Sequence, residues 1–90
     1  MVEYDYKNQE IADIVNSMII YAASKHTIDI HFDPCEDGIH VRFRIDGLLQ
    51  DHTIVPVTYQ RNLTTRIKLI SNMNIIISDF YFYLQLSLSS

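Results

Sequence analysis

Ninety residues with 7 Lys and Arg against 11 Asp and Glu, a formal net charge of −4, amount to one domain without the basic excess that nucleic-acid binding needs. With 48% hydrophobic and 20% charged residues, and only two Gly and two Pro, the composition is globular, neither disordered nor fibrous. The single cysteine, Cys35, cannot form an internal disulfide, no stretch reaches the roughly 18 apolar residues of a membrane span, and Met1 to Tyr6 has no export-signal pattern, so a cytoplasmic domain is expected.

In chain order, Ile11, Ile14, Val15, Met18, Ile19 and Ala22 recur at three- and four-residue steps, which predicts a helix with one buried face. Asn8 is the expected N-cap, and Lys25 and His26 suit the far end. The period then changes to two. Ile28, Ile30 and Phe32 alternate with Asp29, His31 and Asp33, a strand that Pro34 should stop, with the hairpin loop running from Pro34 to Gly38.

A second strand follows, with Ile39, Val41, Phe43 and Ile45 on one face and His40, Arg42, Arg44 and Asp46 on the other. Asp46-Gly47 is a tight-turn pair because two-residue hairpins need positive φ. Leu48 to Val55 can return as a third strand. Beyond Pro56, the spacing of Tyr59, Leu63, Ile67 and Ile70 predicts a second amphipathic helix capped by Thr58.

The expected fold class is therefore α+β, with a helix, three antiparallel strands and a helix over residues 1–74, both helices covering one sheet face. Residues 75–90 form an apolar, β-prone tail through Ile75-Ile76-Ile77 and Phe80 to Leu84. Left exposed it would aggregate, and pairing between protomers, by edge-strand addition or exchange, is the expected remedy.

The polar sheet face collects Asp29, His31 and Asp33 against His40, Arg42 and Arg44. Two registers fit, and they set Asp29 across from Arg42 or from Arg44. Cross-strand ion pairs need no function, contributing at most about 1 kcal/mol when solvated. An arginine held on a rigid sheet can also meet an external anion with forked donors. One register faces His31 with His40 beside Asp29 and Asp33, but strand histidines are mostly surface residues, and no metal is expected. Cys35 has no evident base or oxyanion donor nearby and is read as an exposed bystander. The only glycines are Gly38 and Gly47, so the chain holds no phosphate-cradling P-loop, and neither catalytic residues nor a bound cofactor is expected.

The runs Ile28-Asp29-Ile30-His31-Phe32-Asp33-Pro34, Val41-Arg42-Phe43-Arg44-Ile45-Asp46-Gly47-Leu48-Leu49 and Thr65-Arg66-Ile67-Lys68 resemble the domain just ahead of the P-loop core in type II secretion and type IV pilus assembly ATPases. The three occur in the family's order and spacing, over about Ile11 to Ile75. Two departures stand out: His26-Thr27-Ile28 replaces a small residue and Ser before the first strand's Asp, and the apolar tail replaces a charged segment ending in Q-D-G-R.

The resemblance implies a PAS-like fold joined to a RecA-like ATPase, which uses ATP and Mg and assembles as a cytoplasmic hexamer reaching inner-membrane secretion or pilus components. It also implies packing against a neighbouring subunit's ATPase core, with arginines reaching the nucleotide across the interface. Carried over to this chain, Arg42 is the first candidate, Arg44 the second and Arg66 the third, with Asp29, His31 and Asp46 on the interface or ion-pair face. The chain itself would be a non-catalytic piece of such a protein. The alternatives are a stand-alone PAS-like sensor with a cavity lined by Phe43, Tyr21 and Ile67, and a homo-oligomerisation module, a dimer through the tail.

Overall fold

The computed structural model describes residues 1–70, 74–77 and 82–85. Helix α1 spans Ile11–Ser24, strands β1, β2 and β3 span Asp29–Cys35, Gly38–Ile45 and Leu48–Val55, and a 3₁₀ turn at Val57–Tyr59 leads into helix α2, Gln60–Lys68. Helix, three antiparallel strands and helix follow one another as the apolar periods require. Strands β4 (Asn74–Ile77) and β5 (Phe82–Gln85) extend the sheet in the order β3-β2-β1-β5-β4, all pairs antiparallel. Two pieces of the tail thus join the chain's own sheet. The expectation of pairing between protomers covers the whole tail, residues 75–90, of which 78–81 and 86–90 lie outside the described residues.

The core lies between the helices and one sheet face. Ile14, Val15, Met18 and Ala22 of α1 and Leu63 and Ile67 of α2 pack on Ile30 and Phe32 of β1, Val41 and Phe43 of β2 and Val55 of β3, each at most 2% exposed. Burying side chains of this size stabilises by about 1.5–3 kcal/mol each, which is what docks two short helices that would be marginal alone.

The helix starts differ from expectation. Asn8 does not cap α1; it sits in a turn, donating its side-chain amide to Asp5 Oδ2 at 2.8 Å. Glu10 occupies the N-cap position with an extended backbone and makes no side-chain cap bond. Thr58 lies within the 3₁₀ turn, and Tyr59 holds the N-cap position of α2. In both places a local turn takes the residue that short-range capping preference favours.

The end of α1 is a Schellman motif. Thr27 N–H donates to Ala22 O and His26 N–H to Ala23 O, while His26 turns the chain with φ 58°. Pro34 does not stop β1. The strand runs on to Cys35, with Pro34 opposite Ile39, and the loop shrinks to Glu36-Asp37. The β1–β5 register ends at Phe32, so Pro34 needs no N–H for a β5 partner. Gly38 closes the turn at φ 139°, where a Cβ would stand 2.5 Å from Val55 O. Asp46 and Gly47 supply the second tight turn with φ 52° and 81°.

Strand β3 carries a bulge. Arg42 opposes Asp51 but Val41 opposes Thr53, leaving His52 as the extra residue. The bulge turns both His52 and Thr53 inward, each 4% exposed. The carbonyl of His52 accepts the Val2 N–H at 2.8 Å, so the N-terminal segment covers the bulged edge.

Candidate functional site

The sheet face opposite the helices carries Asp29, His31, Arg42 and Arg44. Of the two possible registers, the chain adopts the one that pairs Asp29 with Arg44, His31 with Arg42 and Asp33 with His40. His31 and His40 are therefore not opposite one another, and the four-residue metal arrangement that needed them facing is not formed.

Both arginines are held by carboxylates. Arg42 Nε lies 3.2 Å from Asp51 Oδ1 on β3, and its Nη1 3.9 Å from Asp33 Oδ2 on β1. Arg44 Nε lies 3.4 Å from Asp29 Oδ1, and its Nη1 donates to Gly47 O at 3.4 Å. Asp29 also meets His31 Nε2 at 2.7 Å. The two guanidinium side chains are about one-third exposed, at 35% and 32%. A guanidinium offers five N–H donors, so one or two carboxylate contacts leave capacity for an incoming anion. Neighbouring strands fix where each arginine leaves the backbone, and the acids restrain its rotamer.

Asp46 and Arg66 fall elsewhere. Asp46 belongs to the β2–β3 turn, where positive φ ends the alternation that would have set it on the polar face. Arg66 is carried by α2, whose Leu63 and Ile67 enter the core from the helix side, so the sheet separates it from Arg42 and Arg44. Asp51 completes the cluster and was not singled out. Counting residues outward from the two-residue Asp46-Gly47 turn sets it beside Arg42, because Ile45 then pairs with Leu48.

On the helix side an open cleft of about 390 Å³ is bordered by Tyr21, Lys25, Phe43, Gln50, Asp51 and His52 together with Met1, Val2 and Ile45. Tyr21 and Phe43 reach it, but Ile67 does not, being 0% exposed in the core. His52 stacks on Phe43 with centroids 4.1 Å apart, and its Nε2 is 2.6 Å from Tyr4 Oη. Burial, aided by the N-terminal ammonium, pushes the imidazole down to about 4. Burial also raises the Tyr4 hydroxyl to about 12, with Tyr6 and Tyr21 adding to it. Both groups are therefore neutral near pH 7, so His52 adds no charge to the cleft, which Lys25 and Asp51 also border.

Comparison with known proteins places the chain in a family. A family model described as Type II/IV secretion system protein matches residues 5–78, more of the chain at both ends than the quoted motifs span. The chain belongs to this family. It is 32% identical over 65 residues to the type IV pilus assembly ATPase PilB of Myxococcus xanthus, covering 72% of this chain and 12% of the relative. Type II secretion system protein E of Xanthomonas campestris is 34% identical over 62 residues, 69% of this chain and 11% of that protein. The HofB homologue of Haemophilus influenzae, a protein transport protein, is 29% identical over 68 residues and is covered for 15% of its length. The chain thus spans about one-eighth of the length of these family members. The β1–β2 hairpin, its two turns and α2 lie inside the family match. No helix among the described residues is long and apolar enough to cross a membrane.

Proposed function

We infer that this chain is a regulatory and interaction domain of a type II secretion or type IV pilus assembly ATPase, non-catalytic alone. It packs its polar sheet face on a neighbouring subunit's ATP-binding core in a homo-oligomeric ring. There it presents Arg42, with Arg44 behind it, to the phosphates of the bound nucleotide. A guanidinium supplied in trans stabilises charge that develops on the transferred phosphoryl group and makes hydrolysis depend on how subunits are arranged. Turnover would then be coupled to movement of the domain, and so to protein secretion or pilus assembly through components of the inner membrane. ATP and Mg belong to the neighbouring core in this reading.

The observation that carries it is the pairing of the family match with two arginines fixed on the sheet face that the helices leave uncovered. Arg42 ranks first because, of the two arginines on β2, it alone is restrained by carboxylates of both neighbouring strands, Asp33 and Asp51. Arg66, on the helix side, ranks last.

The test is complementation in trans, adding the chain to a ring-forming ATPase core of the family that lacks its own copy of this domain. The expected result is a rise in turnover, lost at least tenfold with Arg42→Ala, since an arginine supplied in trans can be worth about 10³–10⁵ in rate. Turnover that does not rise, or that rises equally with Arg42→Ala and Arg44→Ala, overturns the assignment.

A further inference from the structure

The β1–β2 turn gathers three different ligand types. Cys35 ends β1, Asp37 is the second residue of the two-residue turn, and His40 is the third residue of β2. The register pairs Cys35 with Gly38 and Asp33 with His40, so strand alternation sets Cys35 and His40 on the same helix-free face. One ligand atom from each of Cys35, Asp37 and His40 lies within 4.8 Å of the other two. His40 Nε2 already meets Asp37 Oδ1 at 2.7 Å. The turn itself has little freedom, because Gly38 packs against the Val55 carbonyl too closely for any Cβ.

We propose that this turn binds one thiophilic divalent metal ion, zinc foremost, through Cys35 Sγ, an Asp37 carboxylate oxygen and His40 Nε2, with water in the fourth position. Tetrahedral zinc with bonds of about 2.0–2.3 Å places its ligand atoms about 3.3–3.7 Å apart. The Asp37–His40 contact must open, and the thiol close, by on the order of 1 Å or less in each case. These are surface side chains, with His40 24% and Asp37 62% exposed and Cys35 also exposed. Such a rotation removes no polar group from the core. On binding, the thiol proton leaves to solvent and the thiolate forms the metal–sulfur bond. Thiolate and carboxylate together then balance the two positive charges. Sulfur and imidazole donors select zinc or cobalt over magnesium and calcium, which demand six or more oxygens.

Cobalt is the reporter of choice, because a thiolate-to-cobalt charge-transfer band identifies sulfur ligation and tetrahedral ligand-field bands identify geometry. The full chain, reduced and metal-free, is titrated with Co²⁺ and then with Zn²⁺. Expected are both sets of bands at one cobalt per chain, displacement by zinc, loss of the charge-transfer band in Cys35→Ser, and Kd raised at least tenfold in Asp37→Asn and in His40→Gln. Three results overturn the proposal: no charge-transfer band at millimolar cobalt, a band unaffected by Asp37→Asn and His40→Gln, or saturation at one cobalt per two chains.

Discussion

His52 makes the energetic role of a single residue measurable. Its imidazole is buried against Phe43 and Tyr21 and bonded to Tyr4, and burial pushes it down from 6.5 to about 4. Between those values the unfolded chain binds a proton on His52 that the folded chain does not, so stability is full above pH 6.5 and falls as pH drops toward 4. The loss across that window should be about 2–3 kcal/mol. Urea unfolding at pH 7 and at pH 4.5 should show it, and His52→Gln should remove most of that difference. Alternation outward from the Asp46-Gly47 turn puts His52 on the inner face, but burial of both His52 and Thr53 was not legible, since only the bulge turns two successive residues to the same side. Arg42 and Arg44, by contrast, were legible as outward residues, because Val41 and Phe43 beside them are apolar and must face the core. The Cys35, Asp37 and His40 grouping was not legible for a different reason: strand pairing brings together residues on opposite strands, whereas these three meet around a turn shorter than Pro34 implied.

Elements were legible wherever a period ran long enough to fix a buried face, and their ends were not. Ile14, Met18 and Ala22 define α1 unambiguously, and Asp46-Gly47 defines the β2–β3 turn. The misplaced caps at Asn8 and Thr58 share one cause: each is drawn into a tighter local turn by a neighbour, Asp5 in one case and Pro56 in the other. The end of α1 carries a testable consequence. His26 occupies the left-handed position of the Schellman motif, with φ 58°, where glycine has no Cβ penalty. His26→Gly should therefore stabilise the domain by about 0.5–1 kcal/mol, the relief at the turn exceeding the extra entropy glycine gives the unfolded chain. A rise in the urea midpoint at unchanged m-value is the expected readout.

At the scale of the whole molecule, the helices sit on one sheet face, and Arg42 and Arg44 on the other. Stability and proposed function are therefore carried by different sides, and substitutions can separate them. Removing Arg42 frees two well-solvated carboxylates, Asp33 at 41% and Asp51 at 66% exposure. Exposed pairs of this kind are worth about 0–1 kcal/mol, so Arg42→Ala should leave the urea midpoint nearly where it was. Removing Arg44 strips a cation from Asp29, which is only 15% exposed and shares its Oδ1 with His31. A half-buried carboxylate that loses a charged partner costs more, about 1–3 kcal/mol. Leu63→Ala, which empties a fully buried site between α2 and the sheet, should cost about 2–5 kcal/mol. Urea unfolding of the three variants should rank them Leu63→Ala, Arg44→Ala, Arg42→Ala from most to least destabilised. With that order established, lost stimulation of a partner ATPase by Arg42→Ala reports on the guanidinium, whereas the same loss by Leu63→Ala reports only on folding.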